Sequence, residues 1–408
     1  MKQFVYSIAL ICCFVVCGPK SSYAQWVETY GPYGGTVLAL AVSGTNLFAG
    51  TNGQGVLLST DDGTSWWTIN SGLPPQAIVN ALAVSGTNLF AGVQDGGVFL
   101  STDNGTSWTA DSAGIAYLDV YALAVSGTYL FAGTDLYNAG IFLSADTGKN
   151  WTWASAGLTY PVFALAVSGT NLFAGTSDSG VFLSTDNGTS WTAASAGMTH
   201  LNIDALAVSG TNLFAGEDGG GISLSTNNGT SWTSANVGLT STTVYALAVS
   251  GTNLFAGTYG GVFLSTDNGT SWTAANSGLL PRTTVLAFVV KGTNLFAGTY
   301  GTGVWLRPLS EMPESGVHES QPSAQTIAAY PNPFSISTTL QYTLSGGGRV
   351  SIFVYDVLEQ IVATPIVNHN ENAGVNEVEF DAKDLPAGIY WCRVSAGRVE
   401  QSTKLVLK

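Results

Sequence analysis

Apolar residues along this chain come in short runs separated by glycine-rich breaks, not in the 3.6-residue rhythm of a helix. Residues 78–110 show the pattern. Ile78 to Val84 is mostly apolar, Ser85-Gly86-Thr87 breaks it, and Asn88-Leu89-Phe90-Ala91 follows. Gly96-Gly97 then introduces Val98-Phe99-Leu100-Ser101, and Ser107-Trp108-Thr109 ends the stretch. Short apolar runs bounded by such turns predict four strands. There is little polar-out alternation, which predicts a sheet covered on both faces.

The stretch recurs. Ser-Gly-Thr-Asn-Leu-Phe-Ala-Gly starts at Ser43, Ser85, Ser126 (with Tyr129 for Asn), Ser168, Ser209 and Ser250, and a seventh copy begins Lys291-Gly292; the spacings are 42, 41, 42, 41, 41 and 41. Seven units of this length, each with several short strands, predict an all-β chain whose main part is a seven-bladed β-propeller. The last copy has a third strand, Gly303-Val304-Trp305-Leu306, but no tryptophan turn after it. Gln25-Trp26-Val27-Glu28 resembles a displaced fourth strand, and Trp26 precedes Trp66 by 40 residues, the interval between Trp151 and Trp191. The propeller is therefore expected over residues 25–310, with the N-terminal strand completing the last blade and removing two open edges. Glu311 to Ala329 is rich in Ser, Pro, Glu and Gln and reads as a linker, 311–329. Residues 330–408 predict a small immunoglobulin-like β-sandwich, with strands at 338–342, 350–355 and 389–394.

Composition agrees with short strands and tight turns: Gly occurs 50 times and charged residues make up 9%. Residues 1–24 read as a signal peptide, with Lys2, an apolar run from Phe4 to Val16, and Ser22-Tyr23-Ala24 before Gln25. Val16 is too bulky for a lipoprotein cut at Cys17. The run is too short for a transmembrane anchor. Cleavage leaves Cys392 as the one cysteine, so no intrachain disulfide is expected. It also removes Lys2 and Lys20 but no acid, taking the formal charge from −14 to −16. That balance argues against nucleic acid as a partner.

Between third and fourth strands stands Ser-x-Asp-x-Gly-x-x-Trp. It carries Asp61 and Trp66, Asp103 and Trp108, Asp146 and Trp151, Asp186 and Trp191, and Asp267 and Trp272, with Asn227 and Trp232 as a variant. These motifs resemble the Asp-box, or BNR, repeat of sialidase-like and sortilin-like propellers. Their regular recurrence points to a structural device. Asp is expected to accept hydrogen bonds from backbone N–H groups two residues on, Gly to take a positive φ, and Trp to bury its ring between sheets.

The C-terminal region resembles the type A sorting domain of the type IX secretion system of Bacteroidetes. Tyr330-Pro331-Asn332-Pro333-Phe334, Val354-Tyr355-Asp356, Leu385-Pro386-Ala387-Gly388-Ile389-Tyr390 and the terminal Lys404 to Lys408 carry the likeness. It implies the type IX secretion machinery as a partner and a secreted or outer-surface location.

For chemistry, a sialidase-like site needs three arginines on the substrate carboxylate. From Gln25 to Ser310 there are two, Arg282 and Arg307. A glycosidase needs only paired carboxylates, and Asp95, Asp111, Asp119, Asp135, Asp178, Asp204, Glu217 and Asp218 stand outside the Asp-boxes. His200, His318 and His369 are scattered, and neither a metal site nor a cofactor is expected. The repeats place identical turns at one end and divergent connections at the other. Just before each Ala-Leu-Ala-Val or its equivalent stand Leu38, Asn80, Tyr121, Phe163, Asp204, Tyr245 and Leu286. Together with Tyr117, Asp119, Tyr137, Tyr160 and Arg282 they predict an aromatic and acidic mouth suited to a glycan or an extracellular protein. The expected function is non-enzymatic binding or adhesion by a monomer.

Overall fold

The computed structural model describes residues 25–29, 31–32, 34–135, 140–312, 324–344, 348–357, 360–396 and 399–408. The segment read as a signal peptide, Tyr137 and His318 lie outside them. Among the described residues the regular structure is strand, apart from one 3-10 turn at Leu309–Glu311. No helix there is long and apolar enough to cross a membrane.

The repeats form seven antiparallel four-stranded sheets. In one of them the strands are Val79–Ser85, Asn88–Val93, Gly97–Ser101 and Thr109–Ala110, running from the inner strand to the outer. The apolar runs form strands because each second strand is buried on both faces and sends one phenylalanine into the core (Phe48, Phe90, Phe131, Phe173, Phe214, Phe255 and Phe296). Neighbouring sheets meet at a glycine of the second strand. A Cβ added to Gly92 would lie 2.6 Å from Val120 Cγ1 of the next inner strand, and one added to Gly298 would lie 2.6 Å from Val37 Cγ1. The second contact joins the last repeat to the first and closes the ring, so the architecture is a β-propeller. The last sheet takes its outer strand from the chain start: Val27 pairs with Leu306 and Glu28 with Trp305, in the order Val27–Glu28, Val304–Pro308, Asn294–Thr299, Val285–Lys291.

The Ser-x-Asp-x-Gly-x-x-Trp turns share one hydrogen-bond plan. Ser101 Oγ donates to Asp103 Oδ1 (2.8 Å) and accepts from Gly105 N (2.7 Å). Asp103 accepts from Ser107 N at 2.9 Å and Ser107 Oγ at 2.6 Å. The carboxylate thus caps an amide four residues on, not two, because two positive-φ residues, Asn104 (56°) and Gly105 (84°), curl the chain back over it. Asn227 keeps the plan: its Oδ1 accepts from Ser231 N, and its Nδ2 donates to Ser231 Oγ, each at 2.9 Å.

Five of the motif tryptophans, Trp108, Trp151, Trp191, Trp232 and Trp272, are buried and donate Nε1 to a carbonyl of the preceding sheet, as Trp108 does to Ile69 O at 2.7 Å. Trp26 does the same toward Ala275 O (2.7 Å). Trp66 departs from the expectation: it is half-buried and its Nε1 has no partner. The sheet before it ends in the short strand Val27–Glu28, and Gly31 crowds the Trp66 ring, where an added Cβ would come within 3.0 Å.

The C-terminal unit is a two-sheet sandwich. Three strands run in the order Ala324–Tyr330, Ser337–Leu344, Gly374–Asp381, and four in the order Ile361–Glu371, Gly348–Tyr355, Gly388–Ala396, Val399–Leu407. Leu340, Ile352, Val354, Cys392 and Leu405 are among its core. Residues 324–329 are therefore not linker. They belong to an edge strand whose backbone pairs with Leu340 to Leu344, and its alternate residues Ile327 and Ala329 pack on the core, a short apolar pattern hidden within a polar stretch.

Candidate functional site

Each inner strand carries a register shift near its start, for instance between Val120 and Ala122 and between Ile203 and Ala205. The residue inside the shift is the one that varies among repeats: Leu38, Asn80, Tyr121, Phe163, Asp204, Tyr245 and Leu286. A bulge residue is released from the ladder and its side chain is re-aimed, so a varied residue there does not disturb the repeated core. All seven are half-buried.

A second repeated contact brings the two divergent connections together. The amide of the residue after each second strand bonds to a carbonyl just ahead of its inner strand: Asn52 to Thr36 (3.0 Å), Gln94 to Ile78 (3.0 Å), Asp135 to Asp119 (3.3 Å) and Ser177 to Pro161 (3.1 Å). Asp218 to Asn202 (3.0 Å), Tyr259 to Thr243 (3.3 Å) and Tyr300 to Thr284 (3.0 Å) complete the set. The backbone frame is the same in every repeat, while the side chains on it differ.

Two acidic centres result. Around Tyr121 stand Asp95, Asp119 and Asp135, with Asp95 N donating to Asp119 Oδ1 at 2.6 Å. Burial, followed by the negative charges of Asp135 and Asp119, pushes the Tyr121 phenol up to about 12. Burial and Asp119 raise the Asp135 carboxyl. The Tyr121 ring meets Phe163 edge to face, with centroids 5.2 Å apart. Around Tyr245 stand Asp204, Asp218 and Tyr259. Burial, and next the charge of Asp218, raises Asp204 to about 6. Burial, Asp218 and Asp204 raise the Tyr245 phenol. Tyr121, Phe163 and Asp204 line a central cavity of about 230 Å³ between the inner strands.

The other named residues have distinct places. Asn80 Nδ2 is buried without a hydrogen-bond partner. Tyr117 is 85% exposed, Tyr160 packs its ring 6.2 Å from Phe182, and Arg282 is exposed with a φ of 60°. Asp111 lies away from the mouth, since its carboxyl faces Asp146 of a turn and its carbonyl accepts from Trp151 Nε1. Arg307 is fully buried in the last sheet, donating to Glu311 O (2.6 Å) and Ala275 O (3.4 Å). It takes no part in a surface anion site.

Sequence reasoning missed three features. Tyr259 and Tyr300 are 60% and 66% exposed on the frame; their place in the repeat register was the available signal. Glu217, named among the acids outside the Asp-boxes, is 1% exposed, with Oε1 unpartnered and Oε2 3.8 Å from His200 Nδ1. It stands where Thr176 and Thr258 donate to glycine carbonyls. Ser223 replaces the phenylalanine seen at Phe182 and Phe263, so two coupled departures from the repeat mark the pocket that admits this carboxylate. Burial raises its pKa, against opposing effects of Ser223 and His200. The bulges were not visible in the pattern either.

Residues 328–408 match the family model described as a secretion system C-terminal sorting domain, and residues 162–295 match that of the DUF6242 β-propeller domain. The class this defines is a β-propeller with a type IX sorting tail, and the tail indicates secretion to the cell surface or the extracellular space. No match was found among curated proteins. YCF48 bound to D1 peptide is similar in structure with a TM-score of 0.55 and 16% identity, over 71% of this chain and 97% of that one. An ancestral GH74 enzyme gives 0.56 and 19%, over 72% and 51%. The GH74 xyloglucanase from Xanthomonas campestris gives 0.54 and 16%, over 79% and 60%. At these identities the likeness is one of fold.

Proposed function

We propose that the protein is a seven-bladed Asp-box propeller that acts, as a monomer, as a non-enzymatic binding or adhesion module on or outside the cell. The type IX machinery exports it, and the divergent mouth is its binding face. The observation that carries this reading is the repeated backbone frame with unlike side chains on it. One end of the ring repeats the same turn, whereas the other presents two acidic centres, the Tyr121–Phe163 pair and exposed tyrosines. Specificity needs asymmetry, which only the divergent end offers. Aromatic faces beside carboxylates suit the apolar and hydroxyl surfaces of a sugar or the side chains of an extracellular protein.

A second reading is a polysaccharide-active glycoside hydrolase with paired carboxylates. The GH74 enzymes share the fold, and an Asp204 carboxyl raised to about 6 beside Asp218 has the character of a general acid. A glycan array with the purified protein, followed by a hydrolysis assay on every hit, tests both. Binding without product release supports the module, and turnover that is lost in Asp204→Asn supports the enzyme. Absence of any glycan or protein ligand would contradict the binding reading.

A further inference from the structure

The four-stranded sheet of the C-terminal unit has an outward face that water should keep polar, and large aromatic and aliphatic side chains stand on it among serines and two cations. Inward positions Ile352, Val354, Tyr390, Cys392 and Leu405 are buried, so their alternates face out. The strand register then sets Tyr355 beside both Trp391 and Ile361, Trp391 beside Lys404, and Phe353 beside Arg393. Ile361, Ile389 and Trp391 are 54%, 42% and 44% exposed. The Arg393 guanidinium lies 4.5 Å from the Tyr355 ring centroid, and the Phe353 and Tyr355 rings are 6.5 Å apart. This is one continuous aromatic patch with two cations in it.

Of the segments that make the tail recognisable, the first is tied into the sandwich, whereas Tyr355, Ile389 and Lys404 belong to this face. Asn332 donates its side-chain amide to Lys404 O (2.6 Å) and accepts from Val406 N (2.9 Å). Phe334 is buried; its N–H donates to Val406 O (3.0 Å) and its carbonyl accepts from Lys408 N (2.8 Å). The Tyr-Pro-Asn-Pro-Phe segment thus fastens the last strand through Asn332 and Phe334.

We propose that the outward face centred on Trp391 is where the type IX machinery grips the tail. The occupant is a machinery protein with an apolar groove for Trp391 and Ile389, flanked by carboxylates for Arg393 and Lys404. The inference rests on the sorting-domain match of residues 328–408. That match implies recognition of the unit by secretion machinery, and the two basic residues on the face call for carboxylates on the partner. Aromatic and arginine anchors on a sheet face are the residue types that dominate protein interfaces.

The test expresses the full chain in a type IX-competent host as five forms. They are the native chain, Ile389→Ser with Trp391→Ser, Lys404→Glu, Val375→Ser on the other sheet, and a chain lacking residues 328–408. Thermal melts of the same chains check folding. Losing two central anchors should cut export at least about tenfold, with accumulation in the periplasm, and the charge reversal should reduce it as well. Val375→Ser should be exported as the native chain is. If the double variant fails to melt cooperatively, Lys404→Glu alone decides, since it removes no core side chain. Blocked export of the truncation with normal export of both face variants overturns the proposal and leaves the sorting assignment standing. Normal export of the truncation removes both. Normal export with lost retention on the cell surface would assign the face to the envelope and overturn the proposal too.

Discussion

At the scale of single residues, the same side chain does different work in different copies of the repeat. Trp108 is buried and bonded to the preceding sheet, whereas Trp66 is half-buried with an unpartnered Nε1. Trp108→Ala should therefore lower stability by about 3–5 kcal/mol and Trp66→Ala by clearly less, as read by denaturant melts of both variants. Equal losses would contradict the difference. Asp204 carries a pH signature. Its folded pKa of about 6 exceeds the unfolded value near 3.8, so the folded state is favoured while the group is protonated. That contribution is lost as pH rises from about 4 through about 6. Asp204→Asn should flatten the fall, by roughly 1–2 kcal/mol at pH 7 once solvent screening is allowed for, and urea melts between pH 4 and 7 read it directly. Of the residues named from the sequence, Tyr121, Phe163 and Asp204 come together at the cavity because they hold equivalent positions on neighbouring inner strands, and that position was legible in the repeat. Glu217 was misplaced because burial depends on Ser223 across the hairpin, which a linear pattern does not reveal.

At the scale of elements, period and turn chemistry carried most of the fold, since strands of two to seven residues between glycine turns have few other arrangements. The displaced strand at residues 25–28 was legible from the missing tryptophan turn after Trp305, and Val27 and Glu28 do pair with that strand. What the pattern hid were the bulges at the mouth, which are set by backbone alone, and the edge strand Ala324–Tyr330, whose Ile327 and Ala329 reach the core from within a stretch of linker-like composition. Removing residues 25–29 should open the last sheet and take away the buried Trp26. A fall of the melting temperature by roughly 10 °C, or loss of soluble protein, is the expected outcome in thermal melts. An unchanged transition would show that ring closure does not depend on this strand.

At the scale of the whole molecule, the chain divides its tasks between a repeated frame that supplies shape, a divergent rim that supplies difference, and a tail that matches a secretion signal. The proposed division assigns binding to the divergent mouth and stability to the repeated turns. It is tested by titrating the strongest hit from glycan and peptide arrays into three proteins: the native chain, Tyr121→Ala with Tyr245→Ala, and Asp103→Ala. Thermal melts are run on the same samples. The mouth variant should keep its melting temperature within a few degrees and lose affinity at least about tenfold. The turn variant should melt earlier, because Asp103 caps Ser107 and Ser101, yet bind as tightly per folded molecule. Affinity lost in Asp103→Ala with an unshifted melt, and kept in the mouth variant, would place the binding face at the opposite end of the ring and contradict the account.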